Sequence, residues 1–246
     1  MPISYETNIK IAALLKPCGN HKWHDDAVAR AIEEIAEIEK PVILDAGCGA
    51  VSWILHRIRE KRPDIHVLGF DVDEQCLQNK DIDEVKVASI YDIPFESESI
   101  DLAMSGYVLE HLDDPDAALQ EIWRVLKPGA AFIAWAPNKL NPAMVVSSMT
   151  SHKFHVFVRR LVAGDENADN APTYYKLSTV AAIKAAAKRH GFKLEYIDTY
   201  SSAYEYFRMT KITYFLACLA NKIMPLWPFR HFRLTILFVL RKPEAE

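Results

Sequence analysis

The sequence predicts an α/β protein built on a doubly wound, mainly parallel seven-stranded sheet. Three observations predict it. Short apolar runs alternate with segments of helical period, the first such run feeds a Gly-x-Gly turn, and 246 residues, 50% of them hydrophobic, suffice for one large core.

From Asp26 to Ile38, Val28, Ala31, Ile32, Ile35 and Ile38 recur at helical spacing, and Pro41 punctuates before the strand Val42-Ile43-Leu44. After the turn, Val51, Ile54, Leu55 and Ile58 keep the helical pattern up to Pro63, and Ile65 to Phe70 reads as a second strand. A short helix near Asp73 to Asn79 follows, then strands at Val85 to Ser89 and Ile100 to Ser105. A helix from Pro115 to Leu126 is ended by Lys127-Pro128-Gly129, ahead of a strand at Ala131 to Trp135. Ser178 is placed to cap a helix over Ala181 to His190, Gly191 to end it, and the last strands fall at Lys193 to Tyr200 and Leu234 to Leu240. The whole chain, 1–246, reads as one domain with two insertions. One, 138–177, is a cap after the fifth strand; the other, 201–233, is an apolar helical stretch too long to be a turn.

Lysine and arginine total 29 against 33 acidic residues, a net charge of −4, so the composition gives no reason to expect nucleic acid as partner. The four cysteines, Cys18, Cys48, Cys76 and Cys218, form no Cys-x-x-Cys pair, which fits a reducing, cytoplasmic compartment and no zinc cluster. Met1 to Lys10 shows neither a secretory nor a transit pattern.

The turn Asp45-Ala46-Gly47-Cys48-Gly49 brings backbone close to a ligand at a strand end, which by itself is a weak signal. Asp71, 22 residues after Gly49, ends the second strand where a carboxylate can accept from both hydroxyls of a ribose. A dinucleotide site would need a glycine at position 52 and no acid beside the pyrophosphate, whereas this chain has Ser52 and Asp45. S-adenosylmethionine carries a sulfonium, an ammonium and a ribose but no phosphate, and that charge pattern favours it over NAD. Each feature taken singly keeps a structural reading, since a glycine turn is often only a turn and Asp71 can cap the following helix. Cys48 reads as a small structural residue, not a nucleophile.

These residues resemble the class I S-adenosylmethionine-dependent methyltransferases of small-molecule type. The resemblance runs through Val42 to Gly49, Gly69-Phe70-Asp71-Val72-Asp73, Ile93 to Leu102, Val108-Leu109-Glu110-His111-Leu112 and Leu126-Lys127-Pro128-Gly129, in register over roughly residues 40 to 136. It implies the Rossmann-like methyltransferase fold with its last strand antiparallel. It also implies methionine over Gly47, Cys48 and Gly49 beside Asp45, ribose at Asp71, adenine between Val72 and Ile90, and Ser105 near the sulfonium. The chain departs from the family at Val51, where another glycine is common, and at Ser89, where an aspartate commonly reaches the adenine amino group. Glu110-His111 resembles part of the metal site of quinone-precursor O-methyltransferases, but Tyr107 stands where those enzymes add a glutamate, so no metal is expected.

Methyl transfer by in-line displacement needs alignment and exclusion of water, and a base only where the acceptor holds a proton. The candidate bases are His111 first, then His155 or His24, against the plainer reading of each as structural. Tyr107, His152, Tyr174 and Tyr175 are the candidate acceptor contacts, with packing of the insertion as the equal alternative for the last three. The segment 204–233, with aromatic and aliphatic residues, scattered cations and Trp227, Phe229, Arg230, His231 and Arg233, suits a membrane surface or lipid-like acceptor, ahead of a homodimer interface or a buried cap. The expected activity is methyl transfer to a small hydrophobic or lipid-linked acceptor. Its rivals are a non-catalytic scaffold of the same fold and, further behind, an NAD-dependent oxidoreductase.

Overall fold

The computed structural model describes residues 22–142, 144–145, 172–200, 219, 223, 226 and 229–244. The chain divides into two compact units. One comprises Trp23–Ala136, Thr173–Asp198 and Ile236–Glu246; the other comprises Met1–Lys22, Pro137–Pro172 and Thr199–Thr235.

The helices of length are α1 (Lys22–Glu34), α2 (Trp53–Lys61), α3 (Pro115–Val125) and α4 (Val180–Arg189), and the strands are β1 (Val42–Ala46), β2 (His66–Asp71), β3 (Glu84–Val87), β4 (Ile100–Gly106), β5 (Leu126–Pro137), β6 (Lys193–Tyr200) and β7 (Thr235–Arg241). They form one seven-stranded sheet in the order β3-β2-β1-β4-β5-β7-β6. The pairs β1–β2, β1–β4, β2–β3 and β4–β5 are parallel. Beside β7, Gly129 N–H donates to the Lys242 carbonyl and Lys242 N–H to that of Ala130, while Asn138 N–H donates to that of Leu234. Numbers rise on one strand as they fall on the other, so β7 runs antiparallel to β5, inserted between β5 and β6.

Strands covered on both faces have near-continuous apolar sequence, as β1, β4 and β5 do. One layer of core holds Leu44, Phe70, Ala103 and Phe132 against Leu119 and Ile122 of α3 and Ile183 and Ala187 of α4. The alternate strand residues, Ile43, Val67, Leu102, Met104 and Ile133, point to the opposite face and are equally buried. Strand order reverses between β1 and β4, and open α/β sheets bind ligands at such a switch point, beyond the strands' carboxyl ends.

Local chemistry moves three predicted boundaries. The buried stripe of α1 begins with Trp23 and continues through Ala27, Val28 and Ala31, so the helix starts a turn earlier than Asp26. Strand β5 begins at Leu126, because Lys127-Pro128-Gly129 is absorbed as an irregularity opposite Ile100 and Leu102, with Gly129 at φ +80°. The cap of α4 is Thr179, not Ser178: the Thr179 hydroxyl accepts from Ala182 N–H at 3.1 Å, whereas Ser178 is fully buried.

Both predicted insertions lie largely outside the described residues. Within them Phe229–Phe232 forms a 3-10 turn, and Leu219, Ile223, Leu226, Phe229 and Phe232 are exposed. Among the described residues no helix is long and apolar enough to cross a membrane.

Candidate functional site

The turn after β1 works because two glycines take conformations that side chains resist. Gly47 has φ +81°, and a Cβ there would stand 2.2 Å from Cγ2 of Val108; Gly49 has φ +51°, and a Cβ there would meet nothing within 4 Å. The first glycine is demanded by packing, while the second opens onto free space at the sheet edge.

The turn's amides are already engaged. Gly47 and Cys48 N–H both donate to the Phe70 carbonyl, at 2.9 and 3.0 Å, and Gly49 N–H donates to Oδ2 of Asp71 at 2.9 Å. A pyrophosphate needs such amides free, so this turn is not a phosphate cradle. Asp71 Oδ1 accepts from Asp73 N–H at 3.0 Å, and an ionised carboxylate has about four acceptor positions, which leaves capacity for ribose hydroxyls. Val72 beside it is 74% exposed and Val51 71%, apolar surface that a ligand on this edge would cover.

Behind the turn, Asp45 is buried and accepts from the Ser52 hydroxyl at 2.5 Å. Burial raises its pKa to about 6; the Ser52 bond opposes this, and the neighbouring carboxylates of Asp71 and Asp81 add to it. Ser52, where a dinucleotide site has glycine, therefore serves the acid. Asn79, also buried, holds the arrangement from the far side. Its Nδ2 lies 3.1 Å from the carbonyls of Cys48 and Gly49 and from the Ser52 hydroxyl. Burial pushes the Cys48 thiol well above the ordinary thiol range, with the Asp45 charge adding to it, so the thiolate is suppressed and the structural reading fits.

Ser105 is fully buried and its hydroxyl donates to the Ala46 carbonyl at 2.8 Å, tying the end of β4 to β1. Two residues on, Tyr107 carries a partly exposed ring. Tyr107 has φ +58°, its N–H donates to the Trp135 carbonyl at 3.0 Å, and its ring meets Trp23 edge-on with centroids 5.9 Å apart. Trp23 also packs 5.5 Å from Trp135 and 6.2 Å from Trp53, and His24 stands 4.1 Å from Trp53.

A second group forms where Leu109–His111 makes a 3-10 turn. The carbonyl of Glu110 accepts from the amides of both Tyr174 and Tyr175, at 2.7 and 3.0 Å, and Tyr175 has φ +52°. His111 is half-buried on this turn. Nearby, the Tyr91 hydroxyl donates to Asp113 at 2.6 Å, and Tyr91 N–H donates to Oγ of Ser89 at 3.2 Å. The Ser89 hydroxyl thus accepts a backbone bond in the turn that follows β3, and Ile90 beside it is buried.

Of the residues singled out in the sequence, Asp45, Gly47, Cys48, Gly49, Asp71 and Val72 converge at the ends of β1 and β2. His24 joins the tryptophans at the start of α2, whereas Tyr174 and Tyr175 stay with Glu110. His152 and His155 lie outside the described residues. Sequence reasoning missed Asn79, Asp81 and the tryptophans Trp23, Trp53 and Trp135; Ser52 was noticed only as a missing glycine. Nothing local marks Asn79, whose partners lie up to 31 positions away. Among the described residues no cluster of three metal-ligating side chains occurs, and the expected absence of a metal rests on the sequence.

Residues 44–134 match the family profile described as a methyltransferase domain. Demethylmenaquinone methyltransferase of Symbiobacterium thermophilum is 29% identical over 128 residues, covering 48% of this chain and 49% of that protein. Malonyl-(acyl-carrier protein) O-methyltransferase of Hahella chejuensis is 34% identical over 97 residues, covering 37% of this chain and 34% of that one. The chain thus spans about half the length, or less, of these curated relatives. A solved S-adenosylmethionine-dependent methyltransferase of Mesorhizobium loti superposes with a TM-score of 0.56 at 18% identity, covering 87% of this chain and 97% of that one, a likeness of fold. The chain has the Rossmann-like methyltransferase fold, and the match to the methyltransferase-domain profile covers residues 44–134 of it.

Proposed function

We propose that the chain is an S-adenosylmethionine-dependent methyltransferase whose donor binds along the edge from Asp45 to Asp71. The observation that carries this reading is the buried Asp45 carboxylate, crowded by Asp71 and Asp81 and raised to about 6. A cationic ligand would hold it ionised, while a phosphate would meet three carboxylates and a turn whose amides are already bonded. In this reading Gly47 to Gly49 and Asp45 receive the amino-acid end of the donor. Asp71 accepts from the ribose hydroxyls, and Val72 and Ile90 flank the adenine with Ser89 at its rim. Ser105 acts through the Ala46 carbonyl it holds.

S-adenosylmethionine, when bound, supplies a methyl group activated by a sulfonium. The chain's own part is to orient the acceptor and shed water from that edge. For an acceptor that carries a proton, His111 is the first group proposed to take it up, with His24 next. The names of the relatives, a demethylmenaquinone and a malonyl-(acyl-carrier protein) methyltransferase, together with the exposed apolar residues Leu219, Ile223, Leu226, Phe229 and Phe232 and the exposed Arg230, support a hydrophobic or lipid-linked acceptor met at a membrane surface.

Thermal denaturation with S-adenosylhomocysteine or NADH tests the donor assignment. At a ligand concentration of 100 Kd, binding stabilises by about 2.7 kcal/mol, a rise in Tm of roughly 5–10 °C for a chain of this size. A rise with NADH and none with S-adenosylhomocysteine would overturn it.

A further inference from the structure

We propose that Trp23, His24, Trp53, Tyr107 and Trp135 form a second binding site, adjoining the donor edge, for a neutral, electron-rich planar ring on the acceptor; this rests on the methyltransferase reading above. The five rings come from four separate elements. Trp23 and His24 open α1, Trp53 is the first residue of α2, Tyr107 follows β4, and Trp135 stands near the end of β5. Trp53 follows Gly49 by four positions, and Tyr107 precedes Val108, the side chain packed on Gly47. The rings therefore gather at the strand ends beside the glycine turn.

Exposure separates the group into a base and a rim. Trp23 and Trp135 are 3% and 8% exposed, whereas Trp53 and Tyr107 each remain 42% exposed. Rings that served only to fill the core would be covered, as the first two are, whereas the second pair presents aromatic surface to solvent.

The backbone is also distorted to place these rings. A Cβ at position 106 would stand 2.2 Å from the Trp135 indole, so only glycine lets that ring lie against the strand. The very next residue is a bulky tyrosine at φ +58°. For a ring-bearing side chain this is a costly conformation, of a kind that collects at binding sites. The result is a rigid base and a tyrosine turned outward at the donor edge.

Charge selects the occupant. The sulfonium of a bound donor would repel a cationic centre brought directly against its methyl group. An acceptor must also bring electron density to the methyl group. A neutral planar ring meets both demands and gains offset or edge-to-face contact with Trp53 and Tyr107, beside the His24 ring whose centroid lies 4.1 Å from that of Trp53.

The test is calorimetric titration of the full chain, first with S-adenosylhomocysteine to read donor-site affinity, then, with the donor site saturated by the cationic amine analogue sinefungin, with 2-naphthol, its saturated analogue decahydro-2-naphthol, and tetramethylammonium. The expected result is that 2-naphthol binds at least about tenfold more tightly than either of the others. Trp53→Leu and Tyr107→Asn should each weaken 2-naphthol several-fold while changing S-adenosylhomocysteine affinity by less than about twofold. Asparagine tolerates the left-handed backbone, so the Tm of Tyr107→Asn should stay within a few degrees of the parent. Equal affinity for the aromatic and saturated alcohols, tighter binding of tetramethylammonium, or unchanged 2-naphthol affinity in both variants would each overturn the site. Failure of S-adenosylhomocysteine to bind the parent protein would instead remove the methyltransferase reading, a separate outcome of the same titration.

Discussion

Replacing Asp45 by asparagine should make the ligand-free protein more stable at neutral pH and a poorer ligand binder. Burial lifts the Asp45 carboxyl from 3.8 to about 6. The folded chain therefore holds a proton between these values that the unfolded chain has lost, and stability falls as pH rises through that window. Above it, the folded protein carries a buried ionised carboxylate, which costs on the order of 3 kcal/mol. Asparagine is isosteric, and its Oδ1 can still accept from the Ser52 hydroxyl, but it never ionises. The variant should match the parent near pH 4 and gain on it up to pH 7, ending roughly 5–10 °C higher in Tm at pH 8. Its affinity for S-adenosylhomocysteine should fall about tenfold or more with the loss of a charge-assisted bond. Thermal melts of both proteins from pH 4 to 8, with and without S-adenosylhomocysteine, measure all of this. A variant no more stable than the parent at pH 8, or a gap that does not change with pH, would refute the reasoning.

Asn79→Ala should lower stability by about 1–3 kcal/mol and weaken S-adenosylhomocysteine several-fold, because two turn carbonyls and the Ser52 hydroxyl lose one shared donor; chemical denaturation and calorimetry read the two effects. Gly47→Ala and Gly49→Ala should separate packing from binding. The first meets Val108 and loses stability by roughly 2 kcal/mol or more, whereas the second suffers only backbone strain and a ligand-side obstruction, seen as lost affinity with a smaller drop in Tm. Thr179→Ala should cost about 1 kcal/mol by uncapping α4, while Ser178→Ala, which removes a buried hydroxyl with no hydrogen-bond partner among the described residues, should be neutral or stabilising in the same denaturation assay.

The alternation of strand and helix was legible because periodicity is a local property. Val42 to Leu44 and Ile100 to Ser105 can be buried on both faces only as inner strands, and α2 and α3 announce themselves by apolar spacing. The turn, Asp45 and Asp71 were legible for a similar reason, since glycines and acids at strand ends carry their meaning within a few residues. The cap of α4 was misplaced by one position because Ser178 and Thr179 are chemically equivalent in sequence, and only backbone geometry decides which hydroxyl reaches Ala182.

What the amino-acid order determined by itself was the doubly wound architecture and the sign of the charge at its switch point, which favours a cation over a phosphate. Tertiary structure alone decided how that charge is held. Asn79 grips the turn from 27 to 31 positions away, Ser52 supports an acid seven residues earlier, and Asp71 takes the Gly49 amide that a pyrophosphate would need. It also brought the rings of residues 23, 53, 107 and 135 together at one edge. Such pairings depend on strand register and helix placement, which arise from the packing of the whole sheet and leave no periodic trace in any one segment.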